Sequence, residues 1–273
     1  NSVFLFGFHM GVAGVAAATV ISRVVNLLMV AGASARLIRA KDDPERIPNR
    51  EVFRNIIRVG LPSAMETGLY NLAMTLMIRF LNQMDADGLN VTARSYTTQF
   101  TNLAYCAGAA LAQANAIMTG WRIGAGEYDE CDRGTRKAAV TGIIIAAIVE
   151  SAFALSSGLL MRIFTDDPQM ISLVGKLLAI DIVLEIGRVT NLVYGNALKT
   201  SGDAIFPTII GAVFMYLCTV GGTWFLGIHL GLDVVGAYMG LASDECVRAV
   251  FMYLRWRSGK WREKTFIRQE DRV

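Results

Sequence analysis

Residues Ile205 to Leu232 read IFPTIIGAVFMYLCTVGGTWFLGIHLGL, a run without a single Asp, Glu, Lys or Arg. A helix needs roughly 20 apolar residues to cross the hydrocarbon core of a bilayer, and this run exceeds that. Ser95 to Trp121 is likewise free of charge. Ala138 to Met161 holds only Glu150, and Pro62 to Ile78 only Glu66. A soluble domain would show amphipathic stripes instead of such blocks. The pattern predicts an all-α, polytopic membrane bundle.

Composition agrees with that reading: 53% of the 273 residues are hydrophobic and 18% charged, against roughly 25% charged in ordinary soluble domains. Cys106, Cys131, Cys218 and Cys246 are scattered, and His9 and His229 are the only histidines. Neither a disulfide framework, a zinc site nor a histidine-based acid-base centre is suggested. No nucleophile motif, phosphate-binding glycine loop, cofactor signature or nucleic-acid motif stands out, so an enzyme is not expected. The chain opens at Asn1 with no basic region ahead of its first apolar residues, unlike a signal peptide. The expectation is a chain whose numbering starts inside a larger protein.

Seven helices are predicted, at about Val12 to Ala35, Pro62 to Leu81, Val91 to Thr119, Ala138 to Met161, Ile171 to Leu198, Ile205 to Leu226 and Val234 to Tyr253. Their connections alternate in charge. One set is basic: Arg36 to Arg58, then Arg122 to Lys137, Lys199, and everything after Arg255. The other is acidic: Asp85 and Asp87, Asp166 and Asp167, and Asp233. By the positive-inside rule the basic connections and the C-terminus are cytoplasmic, in a plasma or inner membrane.

Residues 36–58 form a long polar connection with Pro44 and Pro48 at its centre. It reads as a cytoplasmic linker between two bundles. Residues 1–35 are then the last helix of a preceding lobe, 59–254 a six-helix lobe, and 255–273 a basic cytoplasmic tail. Gly7-Phe8-His9-Met10-Gly11-Val12 is echoed by Gly227-Ile228-His229-Leu230-Gly231-Leu232. Six predicted spans separate the copies, as parallel repeats related by an axis along the membrane normal would require. A first lobe of the same chain, ahead of Asn1, is therefore an expected partner.

Ionisable groups inside a bilayer cost about 2.5 to 3.5 kcal/mol each and usually face a cavity or a partner. Asp181, Glu185, Arg188 and Asn191 recur at helical spacing on one face. Ser63, Glu66, Thr67, Tyr70 and Asn71 cluster on another helix; Thr98, Gln99, Asn102, Tyr105 and Gln113 on a third. Glu185 suits either an ion pair with Arg188 or a binding carboxylate, because two acids on that face meet one Arg. Glu66 has no base in its own helix. Asp244, Glu245 and Arg248 are spaced to neutralise one another. Glu150 stands alone in its span and ranks below Glu66 as a functional group.

Several stretches resemble the multidrug and toxic compound extrusion family of cation antiporters. Gly60-Leu61-Pro62 with Glu66 and Asn71 is similar to the opening of that family's seventh helix. Trp121 to Tyr128 resembles its loop after helix eight, and Ala197 to Asp203 its turn after helix ten. Leu184 to Arg188 and Asp244 to Arg248 are also similar to bacterial members. The resemblance implies the end of helix five through helix twelve, and export of organic cations or amphipathic drugs in exchange for sodium ions or protons by alternating access. It implies no cofactor, and no metal beyond a transient sodium ion. Glu185 lies in the matching tenth-helix segment and comes first as the exchanging carboxylate, then Asp181 and Glu66, with Arg188, Asn191, Asn71, Gln99 and Asn102 lining the path. Rival readings are a lipid or lipid-linked sugar flippase, and a seven-helix receptor. A retinal-binding receptor needs a lysine in its last helix, and none occurs between Lys199 and Lys260.

Overall fold

A computed structural model describes residues 4, 7, 10–38, 50–85 and 87–264. Among them the regular structure is helical throughout: α1 (Gly11–Ile38), α2 (Arg50–Met84), α3 (Leu89–Gly124), α4 (Tyr128–Met161), α5 (Pro168–Thr200), α6 (Ile205–His229) and α7 (Asp233–Arg257). The chain divides into two compact units, Asn1–Phe53 and Arg54–Val273. The first is an apolar helix whose Leu27, Leu28 and Met29 are exposed. The second holds everything that follows.

Three helical stretches, Ala13–Ala35, Tyr128–Met161 and Ile205–His229, are long and apolar enough to cross a membrane by length and composition alone. In α5 and α7, polar groups turned inward lower the hydropathy. Helices α1 and α2 run further than predicted, to Ile38 and from Arg50. Of the expected 36–58 linker, 36–38 and 50–58 are helical, and residues 39–49, with Pro44 and Pro48, lie outside the described residues. So do Phe8 and His9 of the repeat and residues 265–273 of the tail. Where both copies of the repeat are described they agree: Gly11 and Gly231 both take positive φ, 55° and 66°, just ahead of a helix.

The acidic turns have a local cause as well as a topological one. Asp85 accepts the backbone N–H groups of Asp87 and Asn90 at 2.9 and 3.1 Å. Asp167 accepts that of Gln169 at 2.9 Å as the N-cap of α5, with Pro168 behind it. Both satisfy donors that a helix start leaves free.

Helix α5 is the axis of the second unit and packs on α3, α4 and α7. Val189 sits where Gly108 of α3 and Gly142 of α4 leave no room for a Cβ. Helices α6 and α7 touch backbone to backbone: a Cβ on Gly240 would lie 2.7 Å from the Cys218 carbonyl, and one on Gly236 2.6 Å from Leu226. Over Met215–Val220 and Thr223–His229, α6 is wound as π-helix.

Two apolar cores result. One gathers Met77, Leu81, Met161, Leu177, Leu178 and Tyr238; the other Val189, Val193, Ala197, Met252, Trp256 and Trp261. On α5 the boundary between them falls from Asp181 to Arg188, and on α7 from Asp244 to Arg248.

The described part of the basic tail beyond α7 packs back on the bundle. Residues Lys260–Glu263 form a 3-10 turn that folds back. Trp261 is fully buried, stacks on Trp256 at 4.2 Å, and donates its indole N–H to the Trp256 carbonyl. Asp203, in the α5–α6 turn, accepts Arg255 Nε at 2.7 Å and Lys264 Nζ at 2.8 Å. Burial works against its charge, but these two bonds outweigh it and hold the carboxyl below its ordinary range.

Three outcomes follow for the thermal stability of the detergent-solubilised protein. Gly240→Ala costs roughly 1–3 kcal/mol through overpacking, despite the better helix propensity of Ala. Gly158→Ala, with open space around its Cβ position, is neutral or stabilising. Asp203→Asn costs about 2 kcal/mol, less than for a fully buried pair because Lys264 is partly exposed. A depressed carboxyl contributes stability above its unfolded pKa and loses it as pH falls through the folded value. The gap between wild type and Asp203→Asn therefore closes below about pH 4, which unfolding series at several pH values will check.

Candidate functional site

A cavity of about 440 Å³ opens between α2, α3, α5, α6 and α7, with Glu66, Arg188, Asn191, Lys199, Glu245 and Arg248 in its wall. A second, of about 250 Å³, is lined by Arg94, Thr98, Asn102, Asp181 and Tyr238. Tyr70, Tyr105 and Arg188 border both. The two are halves of one polar cleft, hinged on a single guanidinium.

That guanidinium is heavily engaged. Arg188 donates to Glu185 Oε2 at 2.7 Å and, through Nε, to Glu245 Oε1 at 3.4 Å, and its charge lies 5.7 Å from the centre of the Tyr105 ring. Glu245 also accepts from Asn191 at 3.0 Å and pairs with Arg248 at 3.1 Å. Arg248 donates to Asp244 at 2.8 Å, and Asp244 accepts Thr219 at 3.2 Å. Helices α5 and α7 are thus tied at mid-length by one ion network, as burial of its members demands.

The predicted residues separate into groups. Asp181, Glu185, Arg188 and Asn191 do share one region. Glu185 is fully buried and bound to Arg188, with Oε1 unbonded. Asp181 lines the second cavity, is 3% exposed and makes no ion pair. Glu66 does find a base, but from another helix: Lys199 Nζ lies 2.8 Å away, and Thr208 donates at 3.3 Å. Lys199, expected in a basic connection, is in the last turn of α5 and faces the first cavity. Asn102 borders the second cavity. Asn71 and Gln99 are exposed and border neither.

Sequence spacing missed two participants. Asp244, Glu245 and Arg248 pair on α7 as their spacing indicates, but Glu245 also reaches Arg188 and Asn191 of α5, and Glu245 and Arg248 wall the first cavity. Their signal was present, since Glu245 stands at the midpoint of its helix, but spacing along one helix carries nothing about its neighbour. Among the described residues no three His, Cys, Asp or Glu side chains converge as a metal site.

Comparison with known proteins fits this architecture. Residues 62–225 match the MatE family. An uncharacterized transporter of Bacillus subtilis, YisQ, is 33% identical over 263 residues, covering 95% of this chain and 57% of that protein. A probable multidrug resistance protein NorM of Thermotoga maritima is 24% identical over 278 residues, 97% of this chain and 57% of its own length. In fold, the chain is similar to a MATE crystal structure in complex with MaD3S, with a TM-score of 0.80 at 21% identity, over 96% of this chain and 59% of that one. The chain spans a little over half the length of these relatives. It belongs to the MatE family, the multidrug and toxic compound extrusion transporters.

Proposed function

We propose that this chain supplies one six-helix lobe of a secondary transporter that exports organic cations or amphipathic drugs in exchange for sodium ions or protons. The observation that carries the reading is the charge balance around the cleft. Glu66, Asp181 and Glu245 in the cavity walls, with Glu185 and Asp244 bonded to the arginines there, stand against Arg94, Arg188, Lys199 and Arg248. An interior with more carboxylates than bases attracts a cation, and in low dielectric the attraction is strong.

Asp181 becomes the first candidate for the exchanging carboxylate, ahead of Glu185 and Glu66, because the latter two each hold a base. A cationic drug, a sodium ion or a proton neutralises Asp181 equally well, and only one can do so at a time. Such competition for one charge is the basis of exchange. Arg188 extends it: moving the guanidinium away from Glu185 or Glu245 frees a second carboxylate, linking occupancy of one half of the cleft to the other.

The reading includes a preceding bundle of the same protein facing the cleft, and rocking of the two bundles to expose it to each side in turn. It places Arg122, Arg133, Arg136 and the residues after Arg255 in the cytoplasm of a plasma-membrane protein, by the positive-inside rule.

Asp181→Asn in the full-length protein lowers resistance to cationic drugs roughly tenfold, equivalent to about 1.4 kcal/mol of lost charge pairing, whereas Asp181→Glu retains most of it. Undiminished resistance in a well-expressed Asp181→Asn strain would reject the assignment. Lys199→Met has the opposite sign: it frees Glu66, and a fluorescent cationic dye binds several-fold more tightly, on the order of 1 kcal/mol. Dye efflux from proteoliposomes under an imposed sodium or proton gradient identifies the coupling ion.

A further inference from the structure

Glu150 of α4 is 0% exposed, and neither of its carboxyl oxygens has a hydrogen-bond partner. It borders neither cavity described above, and among the described residues no base pairs with it. The charges it feels are Asp181, Glu185 and Arg188, all on α5. Arg188 is already committed to Glu185 and Glu245. Helix α3, which also packs on α4, has no charged residue between Arg94 and Arg122. A carboxyl in such a place, without a donor and beside two further acids, rests in its neutral form and carries a charge only at a cost.

The acids beside it are open in a complementary way. Asp181 Oδ2 and Glu185 Oε1 are buried and unbonded too. Three carboxyls on two facing helices therefore hold buried oxygens without protein donors.

We infer that Glu150 is a proton-binding site held in reserve behind the cleft, exchanging its proton with the α5 acids Asp181 and Glu185. The step moves one proton. An O–H bond breaks on Glu150 and one forms on Asp181 Oδ2 or Glu185 Oε1, leaving the negative charge on Glu150; no other bond changes. When a cationic substrate pairs with Asp181, the displaced proton returns along the same route. The inference rests on the exchange reading above and gives it a particular ion.

Two measurements on the full-length protein test this. The first needs no substrate: at neutral pH the infrared spectrum contains a deuterium-sensitive carboxylic C=O band that vanishes in Glu150→Gln, shifts in Glu150→Asp and persists in Asp181→Asn. Gln is isosteric with the neutral carboxyl, so folding is retained. Persistence of that band in Glu150→Gln, or its loss on adding sodium chloride to wild type, overturns the proton site. The second follows protons released into weak buffer on adding tetraphenylphosphonium. In wild type the displaced proton is kept on Glu150 and little is released; release per bound cation rises roughly twofold or more in Glu150→Gln and falls back in Glu150→Asp, and unchanged release overturns the exchange. If wild type binds no tetraphenylphosphonium while the band behaves as expected, the cation-export reading fails and the link to it is overturned, although Glu150 still carries a proton.

Discussion

The structure depends on a single requirement: acids and bases placed at mid-membrane depth must neutralise one another within reach of their own side chains. Each such group costs about 2.5 to 3.5 kcal/mol to insert, so α5 and α7 are fixed against each other wherever the pairing works. Arg188 and Glu245 supply the bridge, and the two apolar cores lie on either side of it. Close helix approach serves the same end. Gly187 brings α5 to within 2.9 Å, from its Cβ position, of the Cys246 backbone, next to the ion network, so that guanidinium and carboxylate meet without strain.

The bridge leaves a remainder. Arg188 and Arg248 between them cannot compensate Glu185, Asp244, Glu245 and Asp181 together, and Asp181 is the acid left facing open space. In the proposed exchange this unpaired acid is the binding surface, and the neighbouring pairs already hold the helices around it in place. Glu66 and Lys199 repeat the logic at the other side of the cleft, where α2, otherwise mostly exposed, is secured through that ion pair, Thr208 and the bond from Tyr216 to the Leu69 carbonyl.

Much of this was legible beforehand. Charge-free runs fixed the helices, because nothing else explains their length, and the 4-3-3 spacing of Asp181, Glu185, Arg188 and Asn191 placed the polar face of α5. The Arg188 to Glu185 pair was readable too, being local. What escaped was contact between helices: Lys199 for Glu66, Glu245 for Arg188, Trp261 for Trp256. A residue's position along the chain gives its height in the membrane and its angle on the helix, but the identity of the facing helix depends on packing. The same limit hid that Glu245, besides pairing with Arg248, reaches α5, and that aromatic stacking folds part of the basic tail back.

Contact between Gly222 and Gly240, where a Cβ on the first would stand 2.9 Å from the Cα of the second, has a mechanical meaning. With no side chain between them to act as a bearing, α6 and α7 cannot slide past each other beyond Cys218 without main chain striking main chain. They travel as one plate. Nearer the start of α6, Pro207 and Gly211 border the same cavity as Glu66 and Lys199.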